Sequence, residues 1–432
     1  MKLIRFFIDC AKVSLSGNTA YWAWVSVLLF FISMGGFTYL EQMRVGLVIT
    51  GMSDQVSWGF YVSNFTFLVG VAAAAVMLVI PAYIFHNPDA KRVVLLGEGL
   101  AVAASLMCML FVSVDLGRPD RIWHLSPWPG MFNWPSSLLT WDVIVLSGYL
   151  GLNLAIPGYI LYNRYQGTEY NKKLVFGAAV LSMFWAISIH TVTAFLFASN
   201  SARPFWASAL VAPRFLATAF CAGPAFIILA FSVMHKVQAF QIGHKVIDLL
   251  SVIVAVSMQI NLIMLAAELF VEFYAEGQHS ASARYLFLGL DGKSALVPWI
   301  WSAQALNVGA LILLMIEKTR KNYYFLALAC VMAVIGIWIE KGMGFVIPGF
   351  IPTPLGEVFE YMPTWMEVKV ALGVYGIGAL VFTLMMKPLR AIQLGLLANP
   401  NLDLVAAKQL YEQREREALE QRIRGYETKI DP

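Results

Sequence analysis

A single histidine, His190, stands in the middle of the apolar stretch FWAISIHTVTAFLF, residues 184–197. An imidazole has an unperturbed pKa of about 6.5, so it can donate a hydrogen bond and exchange a proton near neutral pH. In a soluble core such a histidine is usually a packed, hydrogen-bonded residue. In a membrane an ionisable side chain is costly to bury and is a functional candidate by default. His190 is therefore a candidate for proton transfer if its helix crosses a membrane.

Three other polar side chains, Asn64, Asp115 and Asp142, lie in or at the end of apolar stretches. At about 1.5 Å per residue, they and His190 fall roughly 0–12 Å below the outer ends of four consecutive predicted helices. Antiparallel neighbours in a bundle can bring such groups together. Each also has a structural explanation. Asn64 could bridge helices, and Asp115 could form a surface ion pair with Arg118. Asp142 could cap its own helix or pair with Arg118 or Arg121.

These residue types suit a quinone head group, whose two carbonyl oxygens need hydrogen-bond partners and whose reduction takes up two protons with two electrons. His190 would bind and protonate one oxygen, and Asp142 would orient the histidine or relay the proton. We therefore predict His190 and Asp142 as the catalytic residues. Asn64 would hold the ring, and the predicted quinone-binding residues are Trp58, Tyr61, Asn64, Asp115, Arg118 and His190.

A second polar set consists of carboxylates. Glu268, Glu272 and Glu276 are spaced four residues apart and share one helix face. Carboxylates stacked inside a membrane helix are typical of a proton relay. The alternative is that Glu272 and Glu276 lie at the outer interface and are solvated. The predicted proton path comprises Glu98, Glu268, Glu272 and Glu340.

Cysteine and histidine positions argue against metal cofactors in this chain. The four cysteines, Cys10, Cys108, Cys221 and Cys330, form no CxxC pair. A haem held by two histidines needs two of them facing each other inside a bundle, and only His190 lies well within a predicted span. We expect neither a haem, nor an iron–sulfur cluster, nor another metal site.

The elements that position these residues must be membrane spans. Of the 432 residues, 59% are hydrophobic and 13% are charged, whereas a soluble protein is about 25% charged. Apolar runs long enough to cross a bilayer recur along the chain. The prediction is an all-α integral membrane protein with ten spans at 21–43, 57–85, 91–115, 136–162, 173–198, 211–235, 244–276, 297–316, 323–342 and 365–386. Nine spans remain the alternative, because Glu340 and Lys341 weaken 323–342.

Basic residues predict the orientation. With ten spans, 21 of the 30 lysine and arginine residues fall in the two terminal segments and in the connections on the same side. Such residues favour the cytoplasmic side, so both termini should be cytoplasmic. Residues 2–13 can form a short amphipathic helix on the membrane surface. The outer loops are rich in Trp, Pro and Gly, which suits either interfacial anchoring or a docking surface.

Several stretches resemble the NrfD/PsrC-like family of quinone-interacting membrane subunits, and within it the ten-span branch typified by DsrP or HmcC. These stretches are SDQVSWGFYVSNFTFLVG, DLGRPDR, NWPSSLLTWDV, SIHTVTAFLFASNSARPFW and WIEKGMGFVIPGFIPTPLGE. The resemblance covers about residues 20–390. Phe65 falls about where shorter relatives can carry a histidine, which is why Asn64 is taken as the ligand from this helix.

The resemblance implies two four-helix bundles, spans 2–5 and 6–9, flanked by spans 1 and 10. It also implies menaquinone or ubiquinone bound in the first bundle near the outer face, and a periplasmic ferredoxin-like iron–sulfur subunit docked on that face. The resemblance also implies cytochrome subunits in the complex and a role in sulfur or sulfite metabolism. The expected location is a bacterial or archaeal cytoplasmic membrane. Membrane lipids are expected partners, and nucleic acid is not.

The predicted domains are an N-terminal segment (1–20), a flanking span with its loop (21–56), the quinone-binding bundle (57–200), the second bundle (201–345), a loop with the last span (346–390) and a cytoplasmic helical tail (391–432). The predicted function is a quinone-reactive membrane subunit of a respiratory-type complex. The alternatives are a proton- or ion-translocating subunit and a purely structural anchor. A transporter built on inverted repeats should have broken helices in both halves, and no convincing pair is present.

Overall fold

The computed structural model describes residues 2–85, 87–236, 244–274 and 280–400. In these residues ten helices are long and apolar enough to cross a membrane, which confirms the all-α membrane fold and the count of ten. Their bounds, which define spans 1 to 10, are Thr19–Val45, Phe60–Ile84, Val93–Asp115, Leu138–Tyr165, Lys172–Ala198, Val211–Met234, Lys245–Tyr274, Val297–Met315, Tyr323–Phe350 and Trp365–Gln393.

The spans form two closed rings. Spans 2, 3, 4 and 5 pack in sequence and span 5 returns to span 2, which makes the first bundle. Spans 6, 7, 8 and 9 close the second bundle in the same way. The bundles meet where spans 2 and 5 pack on span 6 and span 2 touches span 9. Spans 1 and 10 pair with each other, and span 10 rests on span 3.

A short helix, Lys2–Ser14, lies beside the end of span 10. Its Phe6 packs against Tyr165 and Ile392, and Asp9 accepts a hydrogen bond of 2.6 Å from the Tyr165 hydroxyl. The neighbouring Phe7 is exposed, as expected for a helix that lies on a membrane surface. We call the membrane face on which this helix lies the inner end and the opposite face the outer end.

Span 2 is buried on all sides because it touches both bundles and the flanking pair. Each residue from Phe60 to Val79 is buried. Its lower part departs from the α-helix, with a 3-10 turn at Ala73–Ala75 and a π turn at Ile80–Ile84 that contains Pro81. A proline lacks the backbone N–H that an α-helix uses, which explains an irregular turn there.

The outer end of span 2 is tied to span 10. The Tyr361 hydroxyl accepts a hydrogen bond of 2.8 Å from Phe60 N and donates to Glu367. The other Glu367 oxygen accepts from Gly51 N at 2.8 Å. Gly59 lies against the Tyr361 ring, where a Cβ would be 2.5 Å from the hydroxyl oxygen. The loop before span 2 is therefore held by Tyr361 and Glu367, two side chains far along the sequence.

Two spans extend further than predicted. The helix of span 9, Tyr323–Lys341, ends where it was expected, but a bend at Gly342 leads into short turns at Met343–Val346 and Pro348–Phe350 that lengthen the span. Span 10 continues past the predicted residue 386 to Gln393, and the Lys387 ammonium lies 3.7 Å from the centre of the Tyr21 ring. The predicted C-terminal helical tail lies almost entirely outside the described residues.

Candidate functional site

His190 lies inside span 5 with 1% of its surface exposed. Its Nδ1 is 2.9 Å from the Ala186 carbonyl oxygen. Because a carbonyl can only accept, Nδ1 carries the proton in the neutral ring, and Nε2 has a free lone pair. Nε2 is buried and has no hydrogen-bond partner among the described residues. A buried polar atom without a partner is uncommon, and a ligand or water on Nε2 would satisfy it.

Asp142 of span 4 reaches the same face of span 5 as His190. The Thr193 hydroxyl donates a 2.7 Å hydrogen bond to Asp142 Oδ1. Thr193 follows His190 by three residues, so both side chains project from one side of the helix. All three are buried. The structure thus brings the two predicted catalytic residues to one part of the first bundle, with Thr193 joining them.

Asn64 lies at the predicted depth but on another side of span 2. Its Oδ1 accepts hydrogen bonds from Trp338 Nε1 at 2.9 Å and from the Tyr375 hydroxyl at 2.8 Å, and its Nδ2 donates to Phe60 O at 2.7 Å. These bonds join span 2 to spans 9 and 10. The geometry is that of the helix-bridging alternative.

Tyr61 and Asp115 also face the flanking pair. The Tyr61 hydroxyl donates to Gln42 Oε1 at 2.7 Å, and Gln42 in turn donates to Val114 O at 2.7 Å. Asp115 ends span 3, and its Oδ1 is buried without a hydrogen-bond partner among the described residues. These contacts connect span 1 to the outer ends of spans 2 and 3.

Arg118 does not pair with Asp115. Its guanidinium binds Asp120 on the exposed outer loop, with an N···O distance of 2.8 Å. The hydrogen bond from Arg118 lowers the pKa of the Asp120 carboxyl. Two loop residues only two positions apart form an ion pair more easily than a loop residue and a buried helix end. This explains why Arg118 binds Asp120 and not Asp115, the partner suggested by the sequence.

Trp58 belongs to an aromatic cluster between the outer ends of the bundles. It stacks on Trp206 at a centroid distance of 5.5 Å and meets the edge of Phe197 at 5.3 Å. Phe197 lies two turns above His190 on the same face of span 5. Trp206 is fully buried and donates to Phe345 O at 2.9 Å. The cluster covers the outer side of the His190 region.

The second bundle holds a network of buried charges. Arg214 of span 6 binds both Glu268 and Glu340. Glu340 also accepts hydrogen bonds from three amides, those of Asn261 at 3.0 Å, Asn307 at 2.7 Å and Gln304 at 3.1 Å. These charged side chains line a cavity of about 30 Å³, which is large enough for a water molecule. Glu272 lines this cavity too. Of the predicted proton-path residues, only Glu98 lies in the other bundle.

Lys341 follows Glu340 and lies where span 6 meets span 2, since a Cβ on Gly70 of span 2 would be 3.5 Å from its Nζ. It is 4% exposed, its Nζ is 3.3 Å from Phe215 O, and it lies 4.3 Å from the centre of the Phe215 ring. No carboxylate in the described part of the chain forms a salt bridge with it. It interacts electrostatically with His190. The peptide bond between residues 340 and 341 therefore connects the two polar regions.

Neither Arg214 nor Lys341 was predicted as a site residue. Arg214 lies three residues inside span 6, as it did in the predicted span 211–235, but its charge was not considered there. Lys341 was treated only as weakening a span. A charged residue within a helix turn of an apolar run is a signal that would have identified both. Among the described residues, no group of three or more His, Cys, Asp or Glu side chains is placed to hold a metal ion.

Comparison with known proteins identifies the family of the chain. A family model described as "Polysulphide reductase, NrfD" matches residues 48–349. A Halobacterium salinarum chain, provisionally named as a membrane subunit of dimethyl sulfoxide reductase, is 27% identical, covering 83% of this chain and 88% of its own length.

Two further relatives carry a quinone in their names. The Hdr-like menaquinol oxidoreductase integral membrane subunit of Archaeoglobus fulgidus is 22% identical over 86% of this chain and 95% of its own. The menaquinone reductase integral membrane subunit of Nitratidesulfovibrio vulgaris is 24% identical over 87% and 92%. These similarities extend over nearly the whole membrane region.

Proposed function

The chain belongs to the NrfD family, and from this premise we propose that it is the quinone-reactive membrane subunit of a redox complex. It exchanges electrons and protons between the quinone pool and a partner subunit. The single observation that carries the proposal is the buried, unpartnered Nε2 of His190. The names of two relatives support menaquinone over ubiquinone.

The head group binds in the first bundle, residues 57–200, beside His190. Asp142 lies next to it through Thr193, and Trp58 and Phe197 close the outer side. A groove of about 340 Å³ between the outer ends of spans 5 and 6, lined by residues that include Phe195 and Ala198, opens toward lipid and suits the isoprenoid tail. Tyr61 and Asn64 act on the site by holding span 2 against spans 1, 9 and 10.

Quinol oxidation releases two protons and two electrons, and quinone reduction takes up the same number. In oxidation, His190 Nε2 accepts the proton of one hydroxyl, because the Nδ1–H bond to Ala186 leaves Nε2 unprotonated. Asp142 accepts the second proton. The Lys341 ammonium stabilises the negative charge that develops on the quinone oxygen. The two electrons pass to the partner, and reduction reverses each step.

The partner is a periplasmic ferredoxin-like iron–sulfur subunit on the outer face. Exposed aromatic and apolar side chains there, including Trp128, Met131 and Trp365, suit a docking surface, and Arg118 lies on the same face. We further propose cytochrome subunits, a DsrP-like role in sulfur or sulfite metabolism, and a cytoplasmic membrane with both termini cytoplasmic. Proton transfer through Glu98, Glu268, Glu272 and Glu340 completes the proposal.

The test is replacement of His190 by Phe in the assembled complex. The variant should assemble, because its neighbours are apolar. Loss of one hydrogen bond to the head group costs about 1–3 kcal/mol, and loss of proton transfer lowers the rate by a further factor of about 10²–10⁴. Quinol oxidation or quinone reduction is measured, and a gel of the purified complex checks that every subunit is present.

Thr191→Val is the matched control. Thr191 is the next residue on span 5, and among the described residues its hydroxyl bonds to Ile187 O of its own helix, at 3.0 Å. This variant should keep wild-type turnover. A His190→Phe variant that assembles and turns over like wild type would leave His190 as a packed core residue. The structural-anchor alternative predicts that outcome together with no quinone in lipid extracts of the purified complex.

A further inference from the structure

The inner end of span 10 holds a lysine whose charge has no partner in the described part of the chain. The Lys387 Nζ is buried, accepts no carboxylate within salt-bridge distance and has no hydrogen-bond partner among the described residues. One side of the ammonium lies over the Tyr21 ring, 3.7 Å from its centre. An ammonium has three N–H donors, and a buried charge is costly unless an opposite charge is bound to it. The surroundings of Lys387 therefore favour binding of an anion.

The N-terminal helix is fixed beside Lys387 because the next residue is a proline. Pro388 has no backbone N–H, so the Leu384 carbonyl four residues earlier lacks its usual helical partner. The Ser14 hydroxyl donates to this carbonyl at 2.8 Å. The Tyr21 hydroxyl in turn donates to Ser14 O at 2.5 Å. These two hydrogen bonds hold the end of the N-terminal helix and the Tyr21 ring against the turn of span 10 that carries Lys387.

The N-terminal helix has three faces with different surroundings. One face packs on the protein through Phe6 and Cys10. The second face is polar and combines three cations with one carboxylate: Lys2, Arg5, Lys12 and Asp9. The third face is apolar and exposed, and it consists of Leu3, Ile4, Phe7 and Ile8. In a helix that lies on a membrane surface, such an apolar face is in contact with lipid acyl chains.

Aromatic side chains place Lys387 at the level of the lipid head groups. Trp22 and Trp24 at the start of span 1 are 43% and 48% exposed, and tryptophan is enriched at the membrane interface. Trp24 Nε1 donates to Thr383 Oγ1 at 3.2 Å, which joins these aromatic residues to span 10 one turn before Lys387. The phosphate of a phospholipid lies at this level of the membrane. Lys387 is therefore within reach of lipid phosphates.

We propose that the N-terminal helix, the start of span 1 and the end of span 10 together bind an anionic phospholipid. The Lys387 ammonium binds the phosphate, and the apolar face of the N-terminal helix contacts the acyl chains. The excess of cations on the polar face of this helix favours a head group with net negative charge, phosphatidylglycerol, over the zwitterionic phosphatidylcholine. Inorganic phosphate can bind the same ammonium but buries no apolar surface, so the lipid binds more tightly. This site is independent of the proposed function.

The test measures thermal unfolding of the whole complex after repeated detergent exchange has removed loosely bound lipid. Dioleoyl-phosphatidylglycerol should raise the Tm by several degrees, because a ligand that binds the folded state stabilises it. Dioleoyl-phosphatidylcholine and inorganic phosphate should have little effect. Lys387→Met keeps the apolar stem of the side chain and removes the charge, and it should abolish most of the shift. Mass spectrometry of extracted lipids should find less phosphatidylglycerol in this variant than in the wild type.

Lys318→Met is the matched control, since Lys318 is an exposed lysine on another inner connection, and this variant should respond to the lipid like the wild type. Equal responses and equal lipid contents of Lys387→Met and wild type would overturn the inference. An equal shift with inorganic phosphate would do the same, as would a wild type that neither responds to phosphatidylglycerol nor retains it. If Lys387→Met fails to assemble, Ile4→Gln decides, because Ile4 is 65% exposed on the apolar face. A full response of that variant contradicts the proposed lipid contact.

Discussion

Two arginine–carboxylate pairs in this chain differ in their surroundings, and the difference determines what each contributes. Arg118 and Asp120 are exposed on a loop, where water and salt screen their attraction. Arg214 has 16% of its side chain exposed and binds Glu268 and Glu340, of which Glu340 is 2% exposed. Removing one partner of a buried pair leaves an uncompensated charge in a medium that solvates it poorly.

Arg214→Met should therefore destabilise the protein by about 3–5 kcal/mol, because two buried carboxylates lose their cation. Arg118→Met is the matched control and should leave the Tm unchanged. Thermal unfolding of the detergent-solubilised complex measures both. Replacing Glu268 and Glu340 by Gln as well should recover much of the loss. If the Arg214→Met variant has the Tm of the wild type, the ion pairs of Arg214 with Glu268 and Glu340 do not stabilise the fold.

The residues that sequence reasoning placed at one depth divide into two groups in the fold. His190 and Asp142 face the interior of the first bundle, whereas Asn64 bonds to spans 9 and 10. The depth of a residue in the membrane can be predicted by counting residues along the helix. The direction in which its side chain leaves the helix axis can be predicted only if the helix has a distinct apolar face. Span 2 is buried on every side, so its sequence has no such face. That is why the position of Asn64 could not be predicted.

At the scale of helices, hydropathy predicted all ten spans, because the bilayer requires about 20 apolar residues whatever the partners of a helix are. Hydropathy has no information on pairing, and the two-bundle arrangement came from the family resemblance. The helix ends that were missed have local causes. Span 10 was predicted to end before Lys387, but the long side chain of this lysine lies over Tyr21 and allows the helix to continue.

Spans 1 and 10 depend on one close contact. A Cβ on Gly35 would lie 2.6 Å from Gly373 Cα, which is too close for two helices to keep their present distance. Gly36 has no atom within 4 Å of its own added Cβ. Gly35 and Gly36 are neighbours on span 1, and we therefore expect opposite results when each is replaced by a larger residue.

Gly35→Leu should separate spans 1 and 10 and destabilise the protein by about 1–3 kcal/mol, as overpacking does in a filled core. Gly36→Leu should have no effect, since that side chain would point into lipid. Tm values and limited proteolysis of the N-terminal segment report the change. Equal behaviour of the two variants would show that the close contact does not hold the flanking pair.

For the whole molecule, the connection between the bundles is the main organising feature. Glu340 bonds to side chains of the second bundle, and the next residue, Lys341, lies at the contact between span 6 and span 2, so that adjacent residues connect the two polar regions. Span 2 packs on both sides of this junction. Lys341 interacts electrostatically with His190, so under the proposed function a proton taken up at His190 would act on Lys341 across this interface.

The proposed orientation of the molecule in the membrane rests on charge placement. The inner connections and terminal segments carry 21 of the 30 lysine and arginine residues, and a bias of this kind is typical of the cytoplasmic side. Met131 on the outer loop is 74% exposed, and Lys318 on an inner connection is exposed as well. A cysteine at each position reports which side it faces.

Met131→Cys should react with a membrane-impermeant maleimide in intact cells, and Lys318→Cys only after the membrane is opened. Three native cysteines are buried. Burial, together with the nearby Asp9, raises the pKa of the Cys10 thiol to about 11, so little reactive thiolate is present at neutral pH. Replacing Cys10 by Ser removes the remaining background. Labelling of the Lys318→Cys variant in intact cells, with Met131→Cys protected, would reverse the orientation and place the proposed docking face and the His190 site on the cytoplasmic side.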